Sequence, residues 1–180
     1  MIIAGVDEVG RGCLAGPVTA AAVIFKDPIL GLKDSKQLSA SKREIFAEII
    51  KKDSIFSFAN ISNLKIDEVN IHQATLLAMQ EAIINLPIKP DLVYVDGKFT
   101  PSIEVNCKAV IGGDNIIPEI SAASIIAKVH RDDFMIQLDK KYPIYNFAKN
   151  KGYGTAYHLN ALREFGHTSY HRESFKGVIA

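Results

Sequence analysis

The apolar positions fall into short runs near the start of the chain and into longer, helically spaced sets further on. Ile2 to Val6 is brief and apolar and gives way to a turn rich in Gly and Arg, and Val18 to Phe25 is built from small and β-branched residues and stops at Asp27-Pro28. Two strands joined by a loop account for this pattern. Ser41-Lys42-Arg43-Glu44 has the spacing of a capping box, with Ile45, Phe46, Ile49 and Ile50 behind it at helical intervals, so a helix is expected to start at Ser41. Ser54 to Ile61 alternates weakly, as a third strand would. Val69, Ala74, Leu77, Ala78 and Leu86 lie in a stretch free of Gly and Pro, which predicts one helix near 68–86. Asp91 to Gly97 is an apolar run ending in an acid and a glycine, the pattern of a buried strand, and Ile103 to Ile111 is expected to be another. Pro118 to Lys141 is helical in composition, and its Ser121-Ala122-Ala123-Ser124 segment is small enough to lie close to a sheet. A last helix is predicted from Thr155, as N-cap, to Phe165, stopped by Gly166. Strands come first and helices dominate late, which predicts an α/β fold with a mixed central sheet flanked by helices and a helical C-terminal region.

Composition narrows the class without naming it. The chain has 180 residues, 48% hydrophobic and 23% charged, and no linker or repeat interrupts it, so one globular domain over 1–180 is expected and disorder or a disulfide scaffold is excluded. A formal charge of +1 advertises neither a nucleic-acid nor a membrane partner, so either would have to be met by a local patch. Cys13 and Cys107 stand far apart and read as reduced thiols. Asp7 and Glu8 arrive before an apolar signal core could form, and the longest apolar stretch, Val18 to Phe25, is eight residues against the roughly 20 a bilayer requires. A cytoplasmic protein without a membrane span is expected.

Four acids stand where regular structure should stop: Asp7 and Glu8 after the first strand, Asp96 after a later one, and Asp114 in a Gly-Gly-Asp turn before the long helix. Carboxylate oxygens suit hard cations such as Mg²⁺ and Mn²⁺, and two such ions about 3.5–4 Å apart serve phosphodiester hydrolysis. Any one of these acids alone is more simply a cap or a solvated loop residue. Adjacent strand residues point to opposite faces, so the first strand is expected to end or bulge at Asp7, with Gly10 and Gly12 easing the departure. Asp132 competes with Asp114. In a continuous helix from Pro118 it lies about 20 Å along the axis and cannot share a metal with Asp114. Asp114 is the expected fourth ligand because a helix start puts it near sheet edges, whereas Asp132 beside Arg131 reads as a solvated helix face.

Six ordered blocks then carry a family resemblance. They are Asp7-Glu8-Val9-Gly10-Arg11-Gly12 with Leu14-Ala15-Gly16-Pro17; Asp34-Ser35-Lys36-Gln37-Leu38; Asp96-Gly97; Ser121 to Val129 with Arg131-Asp132; Lys151-Gly152-Tyr153-Gly154-Thr155; and His171-Arg172-Glu173-Ser174-Phe175. The chain resembles bacterial ribonuclease HII over essentially its whole length. The resemblance implies a ribonuclease H-like fold and hydrolysis, with two Mg²⁺ or Mn²⁺ ions, of the RNA strand of RNA·DNA hybrids or of the 5′ side of a single ribonucleotide in duplex DNA, leaving 3′-hydroxyl and 5′-phosphate ends. It implies that Asp7, Glu8, Asp96 and Asp114 are the catalytic acids and metal ligands. Gly10, Arg11 and Gly12 would sense the ribose 2′-hydroxyl through the backbone, and Tyr153 would pack on the sugar that follows.

The residue chemistry agrees with these roles. The 2′-hydroxyl is the group that separates RNA from DNA, and glycines permit close backbone approach to it. Ser35 and Lys36 suit a phosphate contact. Between Lys128 and Lys176 there are nine Lys and Arg against five Asp and Glu, four of the five histidines, and eight of the 15 aromatics between Tyr142 and Phe175, which together suit a nucleic-acid face. Phe165 is expected in the core, His158 in a structural role, and Tyr153, between glycines, at the surface. A monomer with no clamp-binding tail and no extra N-terminal domain is expected. Rival readings are another metal phosphotransferase or DNA nuclease of the same fold, and a hybrid-binding module without turnover.

Overall fold

The computed structural model describes residues 1–29, 31–32 and 38–179. Its sheet has five strands in the order β3-β2-β1-β4-β5, with β1 at Ile3–Val9, β2 at Val18–Phe25, β3 at Ser54–Ile61, β4 at Leu92–Asp96 and β5 at Asn106–Val110. The first three pair antiparallel, whereas β1 with β4 and β4 with β5 run parallel. Helices α1 (Ala40–Asp53), α2 (Asn63–Val69), α3 (Ile71–Ile84), α4 (Pro118–Lys141), α5 (Phe147–Asn150) and α6 (Ala156–Phe165) complete it. None of the described helices is long and apolar enough to cross a membrane.

Strand periodicity sorts the core into two faces. Ala4, Val6, Ala20, Ala22 and Val93 pack with Ala74, Ala78, Ala82 and Ile83 of α3, while Ala21 and Val23 point the other way, onto Ala47 and Ile50 of α1 and Ala122, Ala123 and Ile126 of α4. The alanines of β2 and α4 let backbones approach closely, and at Gly5 that approach is extreme. A Cβ there would stand 2.2 Å from the Glu119 carbonyl carbon and 2.3 Å from the Ile120 nitrogen, so α4 begins in van der Waals contact with the β1 backbone. A third cluster ties Leu14 and Ala15 to Met135 and Leu138 of α4, to Phe147, and to Ala161 and Leu162 of α6.

Four expectations are corrected. The first strand does not stop at Val6: its ladder with β2 continues regularly through Asp7↔Ala21, Glu8↔Ala20 and Val9↔Thr19. What stops at Val6 is the other ladder, since Val6↔Val95 is the last pair with β4. The cap of α1 is Ser39 rather than Ser41, its side chain accepting from the Lys42 N–H at 3.4 Å. The single helix expected over 68–86 is two, because Asn70 at φ 75° closes α2 through its N–H to Ile66 O and caps α3 by accepting from the Gln73 N–H at 3.0 Å. Phe165, expected in the core, is 54% exposed, because it closes α6 just before Gly166 while Ala161 and Leu162 carry the buried face.

His158 is buried in α6, as a structural histidine should be, and belongs to a directional chain of hydrogen bonds. Its Nδ1 lies 2.9 Å from the Tyr153 carbonyl, which only accepts, so Nδ1 carries the proton and Nε2 is the acceptor. His171 Nε2–H then donates to it at 2.9 Å, and His171 Nδ1 accepts from the Thr168 N–H at 2.9 Å. Both rings are therefore neutral. Burial lowers both pKa values, and for His171, where positive charge on His158 and His167 would add to the effect, the value falls to about 4. A histidine held below its unfolded value of about 6.5 stabilises fully above that pH and loses its contribution as the unfolded chain alone takes up protons. Thermal melts are expected to show stability falling from pH 6.5 towards pH 4, with up to about 3 kcal/mol from His171, and a His158→Gln/His171→Gln double variant should flatten that slope.

Candidate active site

The acids gather where the parallel ladder runs out. Asp7 and Glu8 are the first β1 residues beyond the pairing with β4, and Asp96 is the last residue of β4, so the lost pairing opens a gap between two neighbouring strand ends. Asp7 shares the α4 side with Gly5, and its carboxylate accepts a hydrogen bond from the Glu8 N–H at 2.8 Å, while the neighbouring Ser124 hydroxyl acts to lower its pKa. Asp7 is 6% exposed. Burial raises its pKa well above the usual carboxylate range, and the negative charges of Glu8 and Asp96 push the same way. Burial also raises Glu8, opposed chiefly by the Arg11 guanidinium and reinforced by Asp96. Asp7, Glu8 and Asp96 thus share one electrostatic neighbourhood although they come from two strands.

Asp114 approaches from a 3₁₀ turn, Gly113–Asn115, that leads into α4. It is fully buried, and its Oδ1 accepts from Asn115 Nδ2 at 2.9 Å. The adjoining Gly113 is packed tightly against Ile120 of α4 and Val110 of β5, and a Cβ there would also lie 3.4 Å from Asp96 Oδ1. Asp132, the competitor, is held by Lys128 at 2.7 Å one turn back along α4. Ser35 and Lys36 lie outside the described residues.

Beside Glu8, a cleft of about 350 Å³ is lined by Val9, Arg43, Ser124, Ile125, Lys128 and Tyr153. The 10–12 loop forms its rim. Arg11 and Gly12 are exposed, and a Cβ at Gly12 would meet only Tyr153 Cε1, at 3.9 Å, so the loop and the half-exposed tyrosine face one another. Arg43, Ser124 and Lys128 were not singled out by sequence reasoning as site residues. The signal for Ser124 is one of two hydroxyls, with Ser121, in the small-residue stretch of α4. The basic patch read from the sequence is thinner than its count, because Arg131, Arg172, His158 and His171 are buried and serve the interior.

Among the described residues, no three His, Cys, Asp or Glu side chains are grouped so as to hold a metal ion as they stand. The donors nevertheless fit one chemically. Two buried carboxylate oxygens, Glu8 Oε2 and Asp96 Oδ1, have no hydrogen-bond partner among the described residues, and a buried anionic oxygen without a donor is strongly disfavoured until something positive meets it. An all-oxygen set of this kind suits a hard divalent cation.

The fold and this acid cluster define a ribonuclease H-like α/β protein. Ribonuclease HII of Borreliella burgdorferi is 53% identical over 179 residues, covering 97% of this chain and 99% of that one. Residues 4–178 match the family model for Ribonuclease HII, and the chain belongs to that family. Among solved structures, the ribonuclease HII in the PCNA complex from Archaeoglobus fulgidus superposes with a TM-score of 0.84 at 29% identity, covering 98% of this chain and 96% of that one. The ribonuclease H2 of Pyrococcus horikoshii OT3 gives 0.86 at 26%, covering 99% and 95%. Bst-RNase HIII, solved in complex with Mn²⁺, shares the fold at a TM-score of 0.78 and 19% identity, covering 99% of this chain and 68% of that one. Family membership makes the chain an endoribonuclease of the ribonuclease H class.

Two outcomes follow from this geometry. Asp7→Asn removes a buried charge while leaving an oxygen for the Glu8 N–H, so the metal-free variant is expected to be more stable than wild type at pH 7 by about 1–2 kcal/mol, a rise of several degrees in Tm, while losing activity. The two loop glycines should separate stability from binding. Gly10 has φ 91° and a Cβ there would stand 2.1 Å from Arg131 Nε, so Gly10→Ala is expected to destabilise by about 2–3 kcal/mol. Gly12→Ala has room and should change stability by less than about 0.5 kcal/mol, yet weaken a ribonucleotide-containing duplex roughly tenfold in a binding titration, because its methyl enters the gap to Tyr153.

Proposed function

We propose that this endoribonuclease hydrolyses the RNA strand of RNA·DNA hybrids and cuts on the 5′ side of a single ribonucleotide in duplex DNA, leaving 3′-hydroxyl and 5′-phosphate ends. The carrying observation is the placement of Asp7, Glu8 and Asp96 at two adjacent strand ends, beside an exposed glycine loop that faces Tyr153. Asp7, Glu8 and Asp96 hold two Mg²⁺ or Mn²⁺ ions, with Asp114 completing the set beside Asp96. When bound, such ions supply an activated water and neutralise charge on the leaving oxygen.

The chain's own residues do the rest. The Ser124 hydroxyl, beside the Asp7 carboxylate, helps to orient a ligand oxygen. Arg43 and Lys128 line the cleft beside Glu8 and meet backbone phosphates, which fix register without reading sequence. The exposed Gly12 edge reads the 2′-hydroxyl, and Tyr153 takes the neighbouring sugar. The protein acts as a single catalytic unit, a monomer in the cytoplasm. A DNA nuclease of the same fold would have no use for an exposed glycine loop facing Tyr153, and a binding module without turnover would have no use for the unpartnered acid oxygens of Glu8 and Asp96.

The decisive substitution is Asp96→Asn, assayed on a duplex holding one ribonucleotide and on the matched all-DNA duplex. Cleavage of the first is expected to fall by more than about 100-fold with folding intact, and wild type should leave the second uncut. Near-normal Mg²⁺-dependent cutting by the variant would overturn the assignment.

A further inference from the structure

Among the described residues the two largest fully buried side chains are both arginines, Arg131 and Arg172, and neither takes part in any ion pair there. Burying an unpaired guanidinium is strongly unfavourable unless hydrogen bonds satisfy it, and here the acceptors are all backbone carbonyls. Arg172 donates from Nε to Gly16 O at 3.0 Å, from Nη1 to Arg11 O at 2.8 Å and from Nη2 to Gly10 O at 2.6 Å. Arg131 donates from Nε to Pro17 O at 2.8 Å, from Nη2 to Ala15 O at 3.0 Å and from Nη1 to Lys151 O at 2.7 Å. Five of the six bonds end on residues 10–17, and the sixth ends two residues before Tyr153.

A planar fork that grips two successive carbonyls fixes more than position. In a trans peptide the C=O of one residue and the N–H of the next point in opposite directions, and the chain has no cis peptide bond. With the Gly10 and Arg11 oxygens drawn inward onto Arg172, the Arg11 and Gly12 amides must point outward. Both residues are exposed there, and neither amide has an acceptor among the described residues. Outward amides beside Tyr153 are placed to donate to a hydroxyl that DNA lacks.

We infer that Arg172, with Arg131 behind it, is a positioning residue for ribose recognition, holding the 10–12 loop by its carbonyls so that its amides are set for the 2′-hydroxyl before substrate arrives. This rests on the reading that the loop senses the 2′-hydroxyl. Burial lowers the Arg172 pKa only to about 10, so the fork stays charged at neutral pH. Lysine keeps the charge but cannot grip two carbonyls in one plane.

The test is Arg172→Lys in the full chain, with affinity measured without divalent cation, so that no strand is cut, for a duplex carrying one ribonucleotide and for the matched all-DNA duplex. Wild type is expected to prefer the ribonucleotide duplex. In the variant that preference should fall at least tenfold, while affinity for the all-DNA duplex and for Mn²⁺ stays within twofold, a split that general loss of structure would not give. A variant that keeps the wild-type preference overturns the inference. If wild type itself shows no preference, the reading of the loop fails instead. Should Arg172→Lys not fold, proton exchange in wild type decides. The Arg172 Nε–H is expected to be protected in the free protein, with the Arg11 and Gly12 amides shifting on addition of the ribonucleotide duplex alone, and a freely exchanging Nε–H overturns the inference.

Discussion

The contact between the start of α4 and the β1 backbone at Gly5 governs where everything else can be. Because no side chain separates strand from helix there, α4 is fixed in height and direction over the sheet. Each later turn of α4 then meets a defined part of the site. Ser124 reaches Asp7, Lys128 lines the cleft beside Glu8, Arg131 enters the 10–17 loop, and Met135 and Leu138 hold the third core cluster. A helix displaced by even one side chain's thickness would move all five together, so the geometry of the site is inherited from one residue with no side chain.

Two electrostatic solutions sit side by side in this frame, and they differ in kind. Each nitrogen of the two buried guanidinium groups donates to a backbone carbonyl, so their positive charge is solvated by carbonyl dipoles and the surrounding loop is made rigid. Among the described residues Glu8 and Asp96 each keep a buried oxygen without a donor, next to Asp7, whose pKa burial and its acidic neighbours push upward. Satisfied polar groups hold the frame at the arginines, while unsatisfied ones stand at the strand-end acids. The fold tolerates that local conflict because the cores on either side of the sheet are apolar and closely packed.

Sequence reasoning found what is periodic or chemically marked. The α4 bounds, β2, β3 and both ends of α6 follow from side-chain pattern and caps, and the acids are visible because Asp7 and Asp96 interrupt apolar runs. It failed where the decisive fact is pairwise. Nothing local tells that β1 keeps one ladder beyond Val6 while losing the other, yet that asymmetry, more than any end or bulge in the strand, makes room for the acids. Asn70 was misread because a single left-handed residue splits an otherwise continuous helical pattern. The basic count over 128–176 misled for a related reason, since charge in a sequence carries no label of burial and two of those nine residues face inward.

The 10–12 loop and Tyr153, which face one another, are each held by an interior polar network, and the directionality of these networks matters more than their strength. At the loop the Arg172 fork turns two carbonyls inward. Opposite it, the chain from the Thr168 N–H through His171 and His158 ends on the Tyr153 carbonyl and admits one tautomer of each ring. An apolar core fixes where a segment lies but leaves the rotation of its peptide planes weakly determined. Hydrogen bonds from buried donors set that rotation, and reading a single hydroxyl on a sugar depends on the rotation of one or two amides. On the proposed reading of the 10–12 loop, selectivity for ribose rests on buried groups that do not themselves touch the substrate.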